Sequence, residues 1–254
     1  WRDDNPKAIA TSLLNTPAGT SLVATNIRYH ADGTAFDAVY TRADGEQETA
    51  AVRSPLLGQF NVYNLLTALA VGVSQGEVLA KLADACSQLQ PVPGRMEAFQ
   101  NSQSALIVVD YAHTPHALEA VLHALKNLIK GRLLLVFGCG GDRDKEKRPQ
   151  MGRIAEEKSD IFWLTNDNPR SEDPLNIIGD IKAGIKSGRS FHIQTNRHKA
   201  IEEALAEAKE GDLVLIAGKG HEKYQIIKDT IIPFDDREVV KKILSGNSSI
   251  KNNK

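Results

Sequence analysis

The chain has 254 residues, 41% of them hydrophobic and 25% charged, with a formal net charge of −1. This is the composition of an ordinary globular protein of one or two domains. It contains no basic block to support binding to nucleic acid or an anionic membrane surface. No apolar run is long enough to span a bilayer, and the two cysteines, Cys86 and Cys139, are too few for a disulfide scaffold. Both points favour a reduced, cytoplasmic setting. The first residue is Trp1 and not Met, so a fragment, a processed product or a truncation is expected.

Residues 1–20 are polar, carry Pro6 and Pro17, and show no clear period. Residues 21–54 read as a β-meander, with runs at 21–30, 34–42 and 46–53 separated by the hairpin signals Asp32-Gly33 and Asp44-Gly45. Two helices are predicted next, 62–74 with Asn61 as N-cap, and 76–89 with Val78, Leu79, Leu82 and Cys86 at helical spacing. Gln90-Pro91-Val92-Pro93-Gly94 stops that pattern and marks a domain boundary. Strands and helices then alternate. Strands are predicted at 106–110, 132–138, 160–165, 190–193 and 213–217, and helices at 115–129, 149–158, 174–186 and 197–209. Short continuous apolar strands between amphipathic helices indicate an α/β fold with a doubly wound, mostly parallel, Rossmann-like sheet. A hairpin at the sheet edge, 224–228 with 230–234, precedes a terminal helix at 235–244. The polar tail beyond it, 246–254, is expected to be disordered.

Parallel strands place the loops that follow them on one edge of the sheet, where ligands bind in open α/β folds. Each such loop here is polar and unusual: Asp110-Tyr-Ala-His-Thr-Pro115, Gly138-Cys-Gly-Gly-Asp-Arg-Asp-Lys145, Asp167-Asn168-Pro169-Arg170 and Ala217-Gly-Lys-Gly-His-Glu222. In the third, Arg170 offers a planar fork for a carboxylate and Asp167 an acceptor for an ammonium, the two groups of an amino acid. Taken singly, each loop also has a bland account as a turn, a helix cap or a solvated pair. The glycine spacing at 138–141 does not fit a dinucleotide fingerprint, and no Gly-x4-Gly-Lys-Ser/Thr loop occurs in the chain. No close ligand spacing marks a metal site. Cys139 reads as a small residue in a tight turn, and Cys86 as helix core.

Together with Gly58-Gln-Phe-Asn-Val-Tyr-Asn64, Gly94-Arg-Met-Glu97 and Lys147-Arg-Pro149, these motifs stand in an order that resembles the Mur ligases. Within that family they resemble the MurE branch, which adds the third residue of the peptidoglycan stem peptide. The resemblance covers residues 20–244. It implies that residues 1–93 end a central ATPase domain, and that 94–245 form the C-terminal, amino-acid-binding domain. The family's phosphate-binding Gly-Lys-Thr loop, carbamylated lysine and UDP-sugar domain are expected before Trp1. The implied reaction uses ATP and Mg2+ to phosphorylate the D-glutamate γ-carboxylate of UDP-MurNAc-L-Ala-D-Glu, and the amine of meso-diaminopimelate then attacks the acyl phosphate.

By the same resemblance, Arg170 clamps the distal carboxylate that lysine lacks, with Asp167, Asn168 and Pro169 beside it, and Arg143 holds a carboxylate of the same ligand. Gly218 (through its backbone) and Glu222 take an ammonium end. Asn61 and Asn64 lie near adenine, Arg95 near the phosphates, Asp110 near the ribose and His113 close by. No catalytic residue or metal ligand is assigned within the chain, and the expected partners are small molecules acting on a monomer. Glu146 and His116 replace the family's usual glycine and aspartate beside these motifs. The alternatives are a non-catalytic MurE-like interaction subunit, an amino-acid-binding module of residues 95–244 that works without ATP, and a related ligase for another amino acid.

Overall fold

The structure, a computed structural model, describes residues 8–12, 19–100, 105–126, 128–186 and 188–249. The chain divides into two compact units, Trp1–Pro91 and Val92–Lys254. In the first, β1 (Ala8–Ser12), β2 (Ser21–His30), β3 (Gly33–Thr41) and β4 (Gln47–Ser54) form an antiparallel sheet in that order. Alternation places Leu22, Ala24, Phe36, Ala38, Ala50 and Val52 on one face. That face is covered by α1 (Gln59–Ser74) and α2 (Leu79–Cys86), which contribute Val62, Leu66, Leu69, Leu79 and Ala83 to the same core.

Three expectations need correction here. Strand β1 lies in a stretch that shows no period. Helix α1 starts at Gln59, with Gly58 as its N-cap at φ 87°. Asn61 therefore sits inside the helix, and its side-chain amide donates to the Leu57 carbonyl at 2.8 Å. Helix α2 begins only at Leu79.

The second unit runs β5 (Glu97–Gln100), β6 (Leu106–Asp110), α3 (Pro115–Lys126), β7 (Leu133–Phe137), α4 (Lys147–Lys158), β8 (Ile161–Leu164), α5 (Pro174–Lys182), β9 (Phe191–Ile193), α6 (Arg197–Glu207) and β10 (Leu213–Ala217). Its six-stranded sheet has the order β5-β6-β10-β7-β8-β9. Every pairing is parallel except β5 with β6. Strands β6, β7 and β10 are buried at every residue, which is why they read as unbroken apolar runs. Because β10 inserts between β6 and β7, the loops leaving β6, β10, β7 and β8 stand side by side, the arrangement that opens a crevice at a switch point.

Strand β5 is an edge strand that the sequence pattern did not show. The hairpin β11 (Tyr224–Ile227) and β12 (Thr230–Pro233) is not an edge of the large sheet but a two-stranded sheet of its own. It is tied to the loop after β8 through a parallel bridge between Arg170 and Ile227. Helix α7 (Asp236–Ser249) runs past Leu244, so residues 246–249 are helical and not a disordered tail. Residues 250–254 lie outside the described residues. Among the described residues, no helix is long and apolar enough to cross a membrane.

Candidate functional site

The Asp167–Arg170 loop is braced from both sides. The hairpin supports it through Arg170 N to Ile226 O (3.1 Å), Lys228 N to Arg170 O (2.7 Å) and Gln225 Nε2 to Asp167 O (2.6 Å). Toward the glycine-rich loop after β7, Gly141 N donates to Asn168 O (2.9 Å). Arg170, held at φ 51°, donates from Nη1 to Gly141 O at 2.8 Å and to Asn168 O at 3.4 Å. Its Nε and Nη2 have no partner among the described residues, so the fork is anchored at one nitrogen and open at the others. Gly140 makes this approach possible: a Cβ there would stand 2.9 Å from Arg170 Nη1 and 3.7 Å from Arg143 Cγ. The two arginines thus flank one glycine, with Arg143 exposed to solvent.

Beside them lies a buried polar cluster. Asn168 Nδ2 donates to Glu222 Oε2 (2.9 Å), and Asn168 Oδ1 accepts from Ile226 N (3.0 Å) and Lys219 Nζ (3.1 Å). Lys219 Nζ also donates to Glu222 Oε2 at 2.8 Å. Burial pushes the Glu222 carboxyl up, but these two donors and the nearby charges outweigh it and hold the group below its ordinary value. The Asp167 carboxylate closes the cluster. A Cβ on Gly218, which sits at φ +114°, would be 2.9 Å from Asp167 Oδ2.

Buried ion pairs that the sequence did not reveal hold these loops in place. Arg148, fully buried, donates to Glu172 (2.8 and 3.0 Å), Asp180 (2.8 Å) and Gly140 O (3.1 Å). Glu172 in turn accepts from Asp142 N (2.6 Å), while the Asp142 carboxylate accepts from Ser171 N and Oγ (3.1 and 2.7 Å). The Arg148 guanidinium holds Glu172 at a pKa of about 2. Further back, Arg197 and Asp236, both at 0% side-chain exposure, form a two-pronged pair at 2.8 Å. Arg197 also donates to the carbonyls of Ala217 (2.9 Å) and Asn166 (3.3 Å), tying the starts of α6 and α7 to the ends of β10 and β8. Arg148 stood inside a motif, before Pro149, but Glu172, Asp180, Arg197 and Asp236 lie outside every motif and carried no sequence signal.

A second, cationic and aromatic cluster sits at the ends of β6 and β10. The Arg95 guanidinium lies 4.4 Å from the centre of the Tyr111 ring. The Tyr111 ring also meets His113 at 4.5 Å and His221 at 5.0 Å. Lys147 Nζ donates to the His113 carbonyl at 2.8 Å. Asp110 is buried, and its two oxygens accept from Met96 N (2.9 Å) and Ala112 N (2.8 Å). It therefore pins the turn that carries Arg95. Burial raises its pKa, against the pull of those bonds and of Arg95. Asn61 and Asn64 lie together on α1 in the first unit, bonded Asn64 Nδ2 to Asn61 Oδ1 at 3.1 Å. Cys139 is buried against Met151, its thiol pushed up to about 12 by desolvation, and is packing rather than a nucleophile. Among the described residues, no group of three or more His, Cys, Asp or Glu is placed to hold a metal ion.

The second unit gathers this chemistry at one edge of a doubly wound sheet, and family models match both parts of the chain. Residues 94–220 match the Mur ligase, glutamate ligase domain, and residues 2–72 match the Mur ligase middle domain. The chain belongs to the Mur ligase family. It is 52% identical over 201 residues to the UDP-N-acetylmuramoyl-L-alanyl-D-glutamate--2,6-diaminopimelate ligase of Gloeobacter violaceus, covering 79% of this chain and 41% of that protein. It is 42% identical over 249 residues to the Vibrio vulnificus ligase of the same name, covering 98% of this chain and 50% of the relative. A solved ligase of that name superposes at TM-score 0.69 with 42% identity, over 89% of this chain and 45% of its own. The UDP-N-acetylmuramate-alanine ligase of Thermotoga maritima, at 16% identity and TM-score 0.62, shares the fold. The chain thus spans half or less of the length of these relatives.

Proposed function

We propose that this chain is the amino-acid-binding part, with the end of the central domain, of an ATP-dependent ligase that joins meso-diaminopimelate to the D-glutamate of UDP-MurNAc-L-Ala-D-Glu. The observation that carries the reading is the half-open Arg170 fork against Gly140, with Arg143 on the same glycine and the Asp167, Gly218 and Glu222 cluster alongside. Relatives at 42–52% identity that are diaminopimelate ligases by name support it. A carboxylate is a poor acyl donor until phosphorylated, and ATP supplies that phosphoryl group when bound. The work of this chain's residues is to position the amine. Arg170 and Arg143 hold the distal carboxylate, Glu222 and Asp167 hold the neighbouring ammonium, and the far amine is left free to attack. Arg95, Tyr111 and His113 fit the charge and ring faces of a nucleotide. Asp110 contributes by fixing the Arg95 turn. Among the described residues, no group of three or more His, Cys, Asp or Glu is placed to hold Mg2+ by itself, and no step of this chain is assigned to it.

Calorimetric titration of the chain with meso-diaminopimelate and, separately, with L-lysine tests the reading. Uptake of the first and not the second is expected, because lysine leaves the arginine fork without its carboxylate. Equal affinity for both overturns the diaminopimelate assignment.

A further inference from the structure

We propose that Lys219 is the positioning residue for the ammonium end of this pocket, its buried Nζ holding Asn168 and Glu222 so that Glu222 Oε1 is left as the ligand's acceptor. The inference rests on the diaminopimelate reading and deepens it.

Lys219 is fully buried, a costly place for an ammonium. A lysine kept only to fill space would be better replaced by an apolar side chain. The local backbone is built to put it there. Gly218 at φ +114° and Gly220 at φ +50° flank it, and a Cβ on Gly220 would come within 2.6 Å of Gly94 O. Nζ reaches Asn168 Oδ1 at 3.1 Å and Glu222 Oε2 at 2.8 Å, and lies 5.7 Å from the centre of the Tyr224 ring.

Two consequences follow for the groups it touches. Asn168 Oδ1 receives two donors, Lys219 Nζ and Ile226 N, which fixes the amide orientation and aims Nδ2 at Glu222. Glu222 Oε2 likewise takes two donors, from Asn168 and Lys219, while Oε1 has none among the described residues. The carboxylate is thereby held still and ionised, with one oxygen open. The charged groups acting on it are Lys219 from its own loop, Arg170 from the loop after β8 and Arg197 from the start of α6.

The test uses the chain labelled with 13C-glutamate, as wild type and as Lys219→Met, Lys219→Gln and the double variant Lys219→Met/Glu222→Gln. It reads the pH at which the Glu222 carboxyl carbon titrates, and the calorimetric affinity for meso-diaminopimelate between about pH 5 and 8. With Lys219 replaced, Glu222 is expected to titrate at higher pH. Affinity should fall by roughly tenfold to a hundredfold, the loss of one charged hydrogen bond, and fall further at the acid end. The double variant should show no such added pH dependence. A space-filling lysine would move none of these readouts beyond a uniform loss of stability. Should Lys219→Met unfold, Lys219→Gln, which removes the charge but keeps a donor on a shorter side chain, is read by the same criteria. Unchanged Glu222 titration and unchanged affinity in a folded variant overturn the proposal, while wild-type binding leaves the diaminopimelate reading standing. No uptake by the wild type, with Glu222 still shifted in the variants, overturns the ligand assignment and with it the part of Lys219 in binding.

Discussion

The guanidinium of Arg170 is fixed at one nitrogen by the carbonyls of Gly141 and Asn168 and open at its other nitrogens. A lysine here would keep the charge and lose the fork. In calorimetric titration of the chain, Arg170→Ala is therefore expected to weaken meso-diaminopimelate by roughly a hundredfold, and Arg170→Lys to recover only part of that. Equal, small losses for diaminopimelate and lysine would remove Arg170 as the discriminating group. Glu172 makes a different prediction. Arg148 holds its carboxyl at about 2, below its ordinary 4.5, so the folded state prefers the ionised form. The stability this contributes is fully present above about pH 4.5 and is lost as pH falls toward 2. Thermal unfolding of wild type and Glu172→Gln across that window should show a gap in Tm that closes with acidification. A gap that is constant with pH would mean the Arg148 pairing does not act through charge. These residues also mark where reading the sequence stops. Asp167–Arg170, Arg143 and Glu222 were legible because each sits in a recognisable loop. The Arg148 pairing with Glu172, 24 residues on, was not, since both look like surface charges until the fold buries the arginine.

At the level of elements, legibility followed burial. Strands β6 and β10 match their predicted ranges to the residue, because strands buried on both faces have no polar alternation to blur their ends. Strands β1 and β5 escaped notice because an edge strand needs no continuous apolar run. The start of α1 was misplaced because Gly58 at positive φ turns the chain there, so the better-looking cap at Asn61 is already one turn inside. Helix α7 is anchored at its start by the Arg197–Asp236 pair, a contact across 39 residues that no local pattern announces. Both side chains are fully buried, so removing one leaves the other's charge uncompensated. Asp236→Ala should cost about 3–5 kcal/mol, and Arg197→Met with Asp236→Leu together should cost less than either single change. Chemical denaturation of the four variants checks the order. A double variant that costs as much as the sum would show two independent contributions in place of one pair.

On the scale of the whole chain, every residue proposed for diaminopimelate falls within Val92–Lys254, on loops that cross-bond one another. Ligand that binds only the closed form of a loop raises the free energy of its local opening and leaves unconnected segments alone. Saturating meso-diaminopimelate should therefore slow amide hydrogen exchange in three stretches: 138–145, 167–172 and 218–228. The donors at Gly141, Asp142, Arg170, Ile226 and Lys228 all bridge these stretches and should respond together. Strands β2–β4 should exchange at their free rate. Protection spread evenly over both units would mean that the amino acid acts through global stability, and that the pocket is not the self-contained set of loops that their mutual hydrogen bonds describe.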